Sequence, residues 1–174
     1  MIKLNAKFLG FINLQKNKTT EYINPGTYYS NTQLDKIISL LGDDYRPKKI
    51  VILEGKLDYL KYILHMRSIY KISLLLFFSA WFSKIEGVYI RCLDEVHIYV
   101  YAQDYREYDE FDKALYSVHS LVHELRHRWQ YVNKFTEDEE TDCDKFATSF
   151  VNKKSNIISK IMNWKDEWEV EEED

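Results

Sequence analysis

The distribution of apolar positions divides the chain into short β-favouring segments followed by two long helical ones. Residues 2–14 and 20–29 carry β-favouring side chains around a turn signal at Asn24-Pro25-Gly26 and predict a hairpin. Leu34, Ile37, Ile38 and Leu41 recur at helical spacing, so a helix is expected from a cap at Asn31 to a stop at Gly42. Residues 48–53 read as a buried strand. Residues 56–67 read as a helix with Leu57, Leu60, Ile63 and Leu64 on one face. The apolar stretch 71–83 has the length of a helix, and 88–93 reads as a strand. Segment 95–102 alternates, with Val96, Ile98, Val100 and Ala102 on one side and Glu95, His97, Tyr99 and Tyr101 on the other. That is the pattern of a half-exposed edge strand. Helices are expected over 111–133 and 139–163, the first with acids at 109, 110 and 112, where a helix N-terminus favours negative charge. The order of elements is that of an α+β fold rather than alternating α/β.

Composition narrows the class. The chain has 174 residues, 45% apolar and 30% charged, with only 5 Gly and 2 Pro, which fits one soluble domain of long elements and short connections. Of 24 basic and 28 acidic residues, seven acids and one lysine fall in 165–174. The body, 1–164, therefore holds 23 basic and 21 acidic groups, and the last ten residues read as an acidic, disordered tail. A near-neutral body lacks the basic field that would make nucleic acid the main partner. Neither the short apolar stretch near the N-terminus nor the run 72–82 is long enough to span a bilayer, so no membrane association is expected. Two cysteines, Cys92 and Cys143, form no disulfide framework and point to a reducing, cytoplasmic setting.

The chemistry-bearing segment is His123-Glu124-Leu125-Arg126-His127, an HExxH sequence inside the predicted helix 111–133. On a helix, side chains four apart lie about 40° apart and one turn up, so the two imidazoles can reach one ion. Glu124 lies about 100° round, where it can lean toward a metal-activated water without ligating the metal. With His123 as origin, His127, Tyr116, Gln130 and His119 all fall within about 40° on the helical wheel. Leu115, Val118, Leu121, Val122, Leu125, Trp129 and Val132 gather on the opposite face. The histidines thus sit opposite the stripe that must enter the core. In the next helix Glu140 and Asp144 are four apart and share a face, so one can bind the metal while the other accepts a hydrogen bond from a ligating histidine. Glu137, Glu139 and His119 are alternative third ligands, His119 forming an i, i+4, i+8 row with the other two histidines.

HELRH followed by EETDCDKFA resembles the gluzincin branch of the HExxH zinc metallopeptidases, and within it the small ImmA/IrrE-like proteins. The resemblance covers residues 119–150. It implies a minimal zincin-like domain, with a small mixed sheet, an edge strand beside the HExxH helix and a following glutamate helix. It further implies one Zn²⁺ held by His123, His127 and Glu140, with Glu124 as catalytic base, Asp144 behind a histidine ligand, and Phe146 and Ala147 as a packing pair. His119, Tyr116 or Arg126 could donate to an oxyanion. The strand 95–102, with His97, Tyr99 and Tyr101, would pair with an extended substrate. The interval from His127 to Glu140 is shorter than in most gluzincins, Cys143 stands where Ala is usual, and Asp142 where Glu is usual. The expected activity is zinc-dependent peptide-bond hydrolysis on a protein or peptide. The alternative is a zincin-like regulatory or inhibitory binding module with structural or vestigial zinc.

Overall fold

The computed structural model describes residues 19–65, 85–102, 108–136 and 139–171. The expected helix over 71–83 and the first arm of the N-terminal hairpin lie outside these residues. Among those described, the architecture is α+β: a four-stranded mixed sheet with helices on both faces. The strands are β1 (Glu21–Ile23), β2 (Lys49–Leu53), β3 (Gly87–Ile90) and β4 (Glu95–Tyr99), in spatial order β1-β2-β4-β3. β1 and β4 run parallel to β2, while β3 and β4 form an antiparallel hairpin.

This order corrects one expectation. β4 is hydrogen-bonded on both sides, and His97, Tyr99 and Tyr101 are buried, so 95–102 is neither an edge nor a substrate-facing strand. The alternation in its sequence is genuine, but both faces are covered. Val96 and Ile98 meet the main core, whereas Tyr99 packs with Val51, Leu53 and Tyr62, the last from α2 (Lys56–His65). Tyr62 meets the His97 ring edge-on. Residues 100–102 leave the strand in a single helical turn. Among the described residues β3 is the edge strand on that side.

α1 (Asn31–Leu41) is capped one residue earlier than expected. Ser30 is the N-cap and forms a reciprocal capping box with Gln33. Leu34, Ile37 and Ile38 carry its buried face, as their spacing requires. Leu57 on α2 is instead 68% exposed.

The long α3 (Glu110–Asn133) is capped by Asp109, whose side chain accepts from the Asp112 N–H, and ends on Lys134 in the left-handed conformation. Leu115, Val118, Leu121, Val122 and Leu125 are buried against the sheet, each worth roughly 1.5–3 kcal/mol of apolar burial. Its rotation is fixed by Arg128, which donates to both carboxylate oxygens of Asp94 at 2.7 and 3.2 Å in the β3–β4 turn. Asp94 itself has φ 54° and also accepts from the Tyr89 hydroxyl.

The expected helix over 139–163 is two helices, α4 (Glu139–Lys153) and α5 (Ser155–Met162), broken at Lys154. The break lets α5 turn back onto α1, where Gln33 reaches the Ile161 carbonyl. The acidic end is docked as far as residue 171. Trp168 donates to Ser159, Val170 is buried in the core, and the Val170 backbone exchanges two hydrogen bonds with the Asn152 side chain. The acids of this segment face outward, and Trp168 and Val170, which are apolar, hold it down. No helix of the described residues is long and apolar enough to cross a membrane.

Candidate metal centre

α3 and α4 pack side by side, and their polar faces meet at His123 and His127. The packing is set by Arg126, which donates to both oxygens of Asp142 at 2.7 and 3.1 Å and to the Tyr45 hydroxyl. Its guanidinium lies 3.8 Å from the Trp129 ring centroid and 4.5 Å from that of Phe146. This brings the first turn of α4 against the second half of α3.

Three donor atoms converge there. His123 Nε2 lies 3.1 Å from His127 Nε2, and Glu140 Oε2 lies 3.4 and 3.3 Å from the two. Behind this triangle, His123 Nδ1 is 2.7 Å from Asp144 Oδ1, and His127 Nδ1 is 3.2 Å from Gln130 Oε1. Burial holds His123 below the ordinary imidazole range, aided by the neighbouring His127 and opposed by Asp144 and Glu140. A depressed value keeps the ring neutral, the form in which it can ligate a metal.

His123, His127 and Cys143 also form a group whose donor atoms lie within 4.8 Å of one another, close enough to hold a metal ion. Cys143 Sγ, however, stands 3.4 Å from His127 Nδ1, the nitrogen on the far side of the ring from His123. Ring nitrogens point away from each other, so an ion on both Nε2 atoms is not shared with this sulfur unless the ring turns over. Burial, with Asp142 and Glu140 nearby, pushes the Cys143 thiol up and away from thiolate.

Glu124 is 7% exposed and lies against the edge strand. Burial raises its carboxyl to about 8, Glu140 and Asp144 add to the effect, and the Tyr89 backbone N–H opposes it. Gly87 makes room for it, since a Cβ there would fall 2.8 Å from Glu124 Cγ and 3.0 Å from Oε1. From the histidines a cleft of about 200 Å³ runs along α3, lined by Glu86, Tyr116, His119, Thr148 and Glu171 among others.

Of the other expected residues, His119 lines this cleft with Nε2 3.0 Å from the Thr148 hydroxyl and is not part of the donor triangle. Tyr116 lines the cleft as well, stacked on Tyr108. Glu139 turns away to pair with Arg91. Glu137 lies outside the described residues. His97, Tyr99 and Tyr101 are on β4 and the turn after it, in the second core. Gly87 and Gln130 escaped sequence reasoning as site residues. Gln130 carried a usable signal, its place on the histidine face of the helical wheel; Gly87 carried none. The chain matches no family model, no curated protein and no solved structure.

Proposed function

We propose that the chain is a zinc-dependent peptide-bond hydrolase of the HExxH type, similar to small gluzincins, with His123, His127 and Glu140 holding one Zn²⁺. The observation that carries this reading is the donor triangle. Tetrahedral zinc with bonds of about 2.0–2.1 Å needs donors about 3.3 Å apart, and the three edges here are 3.1, 3.3 and 3.4 Å. Asp144 on the far nitrogen of His123 supplies the carboxylate that such a ligand uses to fix its orientation. Glu140 is preferred to Cys143 because it faces the same two nitrogens that face each other.

A bound zinc would supply a Lewis acid for the scissile carbonyl and lower the pKa of water. Glu124 would take a proton from that water and return it to the leaving amine. Gly87 and the Tyr89 N–H hold Glu124 in place for it. His119 and Tyr116 line the cleft and would be candidates to donate to an oxyanion.

The test is a protein purified without chelator, assayed for metal and for cleavage of a peptide mixture by mass spectrometry. The reading requires about one zinc per chain and cleavage that is lost in Glu124→Gln while zinc remains. Substoichiometric zinc ends it. The second reading, a zincin-like binding module, is favoured by the cleft itself. Val170 and Glu171 of the docked C-terminal segment form one wall, leaving about 200 Å³, less than the roughly 300–1,000 Å³ of ordinary ligand pockets. A cellular effect retained by Glu124→Gln would choose that reading.

A further inference from the structure

Gln130 is 1% exposed and lies three residues beyond His127 on α3. Its amide is fully engaged between the two helices. Nε2 donates to the Glu139 carbonyl at 2.8 Å and to Asp142 Oδ2 at 2.9 Å, and Oε1 faces His127 Nδ1 at 3.2 Å. The orientation of this amide is fixed by its partners. Turned over, it would set an oxygen against a carbonyl and a carboxylate, both of which only accept. Asp142 is in turn clamped by Arg126 through two hydrogen bonds.

We propose that Gln130 is a positioning residue for the metal site: its amide oxygen sets the ring tautomer of His127, and its amide nitrogen holds the turn that carries Glu140. The inference rests on the zinc reading above and goes beyond it. An oxygen facing Nδ1 can only accept, so Nδ1 carries the hydrogen and the lone pair of the neutral ring is left on Nε2, facing His123 and Glu140. The competing neighbour, the Cys143 thiol at 3.4 Å from Nδ1, would as a donor favour the opposite tautomer, with the hydrogen on Nε2 and the metal face blocked. Gln130 decides between them, since an amide oxygen is the stronger partner. Its nitrogen bonds to Glu139 and Asp142 bracket Glu140 in sequence. One side chain therefore sets the protonation of one ligand and the position of another.

The experiment uses the full chain, ¹⁵N-labelled, at about pH 8, where imidazoles are neutral. Long-range ¹H–¹⁵N spectra of the metal-free protein read the His127 tautomer, and competition with a chromophoric chelator reads zinc affinity. Wild type is expected to show hydrogen on Nδ1. Gln130→Met removes the acceptor at similar volume. It should lose that tautomer and bind zinc about 10- to 100-fold more weakly. Gln130→Glu keeps an acceptor for Nδ1 but turns its second oxygen toward Glu139 and Asp142. It should retain the tautomer and still lose zinc affinity. A residue that served only packing would lower the melting temperature in both variants without moving the ring spectrum. The wild-type tautomer and zinc affinity within about twofold in Gln130→Met overturn the inference alone, because wild-type zinc binding then stands. Undiminished affinity in Gln130→Glu overturns the part concerning Glu140, also where Gln130→Met does not fold. Failure of the wild type to bind zinc removes the metal-site reading and this inference with it.

Discussion

His97 and His123 are both withdrawn from solvent, and each lies beside a carboxylate, Glu95 at 3.3 Å and Asp144 at 2.7 Å. Around His97 the arrangement is enclosed, with the second ring nitrogen, Nδ1, buried and without a hydrogen-bond partner among the described residues. Lys49 pairs with the other oxygen of Glu95 at 3.2 Å, and the aromatic rings of Tyr62 and Tyr99 cover the imidazole. Burial alone would raise the Glu95 carboxyl, but His97 and Lys49 outweigh it and hold the group below the usual carboxylate range. Around His123 the arrangement stays open. Asp144 takes one nitrogen, and the other converges with His127 and Glu140 beside a cleft, while Glu124 sits nearby with a raised pKa and a single backbone N–H to oppose it. A histidine–carboxylate pair is thus no site by itself. Convergence of donors on one point, with access, separates the two clusters.

The largest expected effect breaks the comparison outright. His123→Ala or His127→Ala should reduce bound zinc from about one per chain to near zero by elemental analysis, with stability lost in step. His97→Ala should leave zinc content unchanged and cost about 1–3 kcal/mol in denaturant unfolding, from the cavity and the ion pair left behind. Zinc lost from His97→Ala and kept in the other two would invert the assignment.

Next in size are the carboxylates of α4. Glu140→Gln replaces a charged donor and should weaken zinc binding by more than about 100-fold. Asp144→Asn should cost about 10- to 100-fold, and Asp144→Ala should fall between the two. Glu139→Gln, whose side chain serves Arg91, should remain near wild type in the same chelator titration. Gly87→Ala comes third. Its Cβ must displace Glu124, so peptide cleavage should drop by at least about tenfold while zinc content is preserved. Unchanged cleavage would mean that Glu124 does not act from where it lies.

The smallest effect belongs to the closed cluster. The Glu95 value is depressed by folding, so its contribution to stability is present above the unfolded carboxylate value of about 4.3 and is lost as pH falls through the folded value. Glu95→Gln should therefore flatten the acid limb of a melting-temperature profile below about pH 4.5 by a few degrees. Zinc binding at neutral pH should be unaffected.

The candidate site was more legible in the sequence than the sheet was. HExxH on an amphipathic helix, opposite a continuous apolar stripe, places His123 and His127 on one face by helical geometry alone, and the four-residue spacing of Glu140 and Asp144 does the same for the second helix. What brings the two faces together is Arg126 and Gln130 bonding to Asp142, contacts between helices that no periodicity encodes. The alternation of 95–102 marks a strand, which holds as far as Tyr99, but not an edge. Alternation of side chains states which residues share a face, while exposure depends on what covers that face, here α2. The break at Lys154 inside 139–163 carries no signal in the sequence, since neither glycine nor proline stands there. Residues 165–171, acidic by composition, are held by two apolar residues, Trp168 and Val170.

That docked segment gives the molecule an order of assembly during synthesis. Val170 completes a core whose other members begin at Tyr29, and α1 waits for Ile161 to satisfy Gln33. A nascent chain that has emerged through α4 already carries both histidines and Glu140, yet it lacks Val170 and Glu171, one wall of the cleft. The cleft takes its final shape only once Val170 and Glu171 have joined the core.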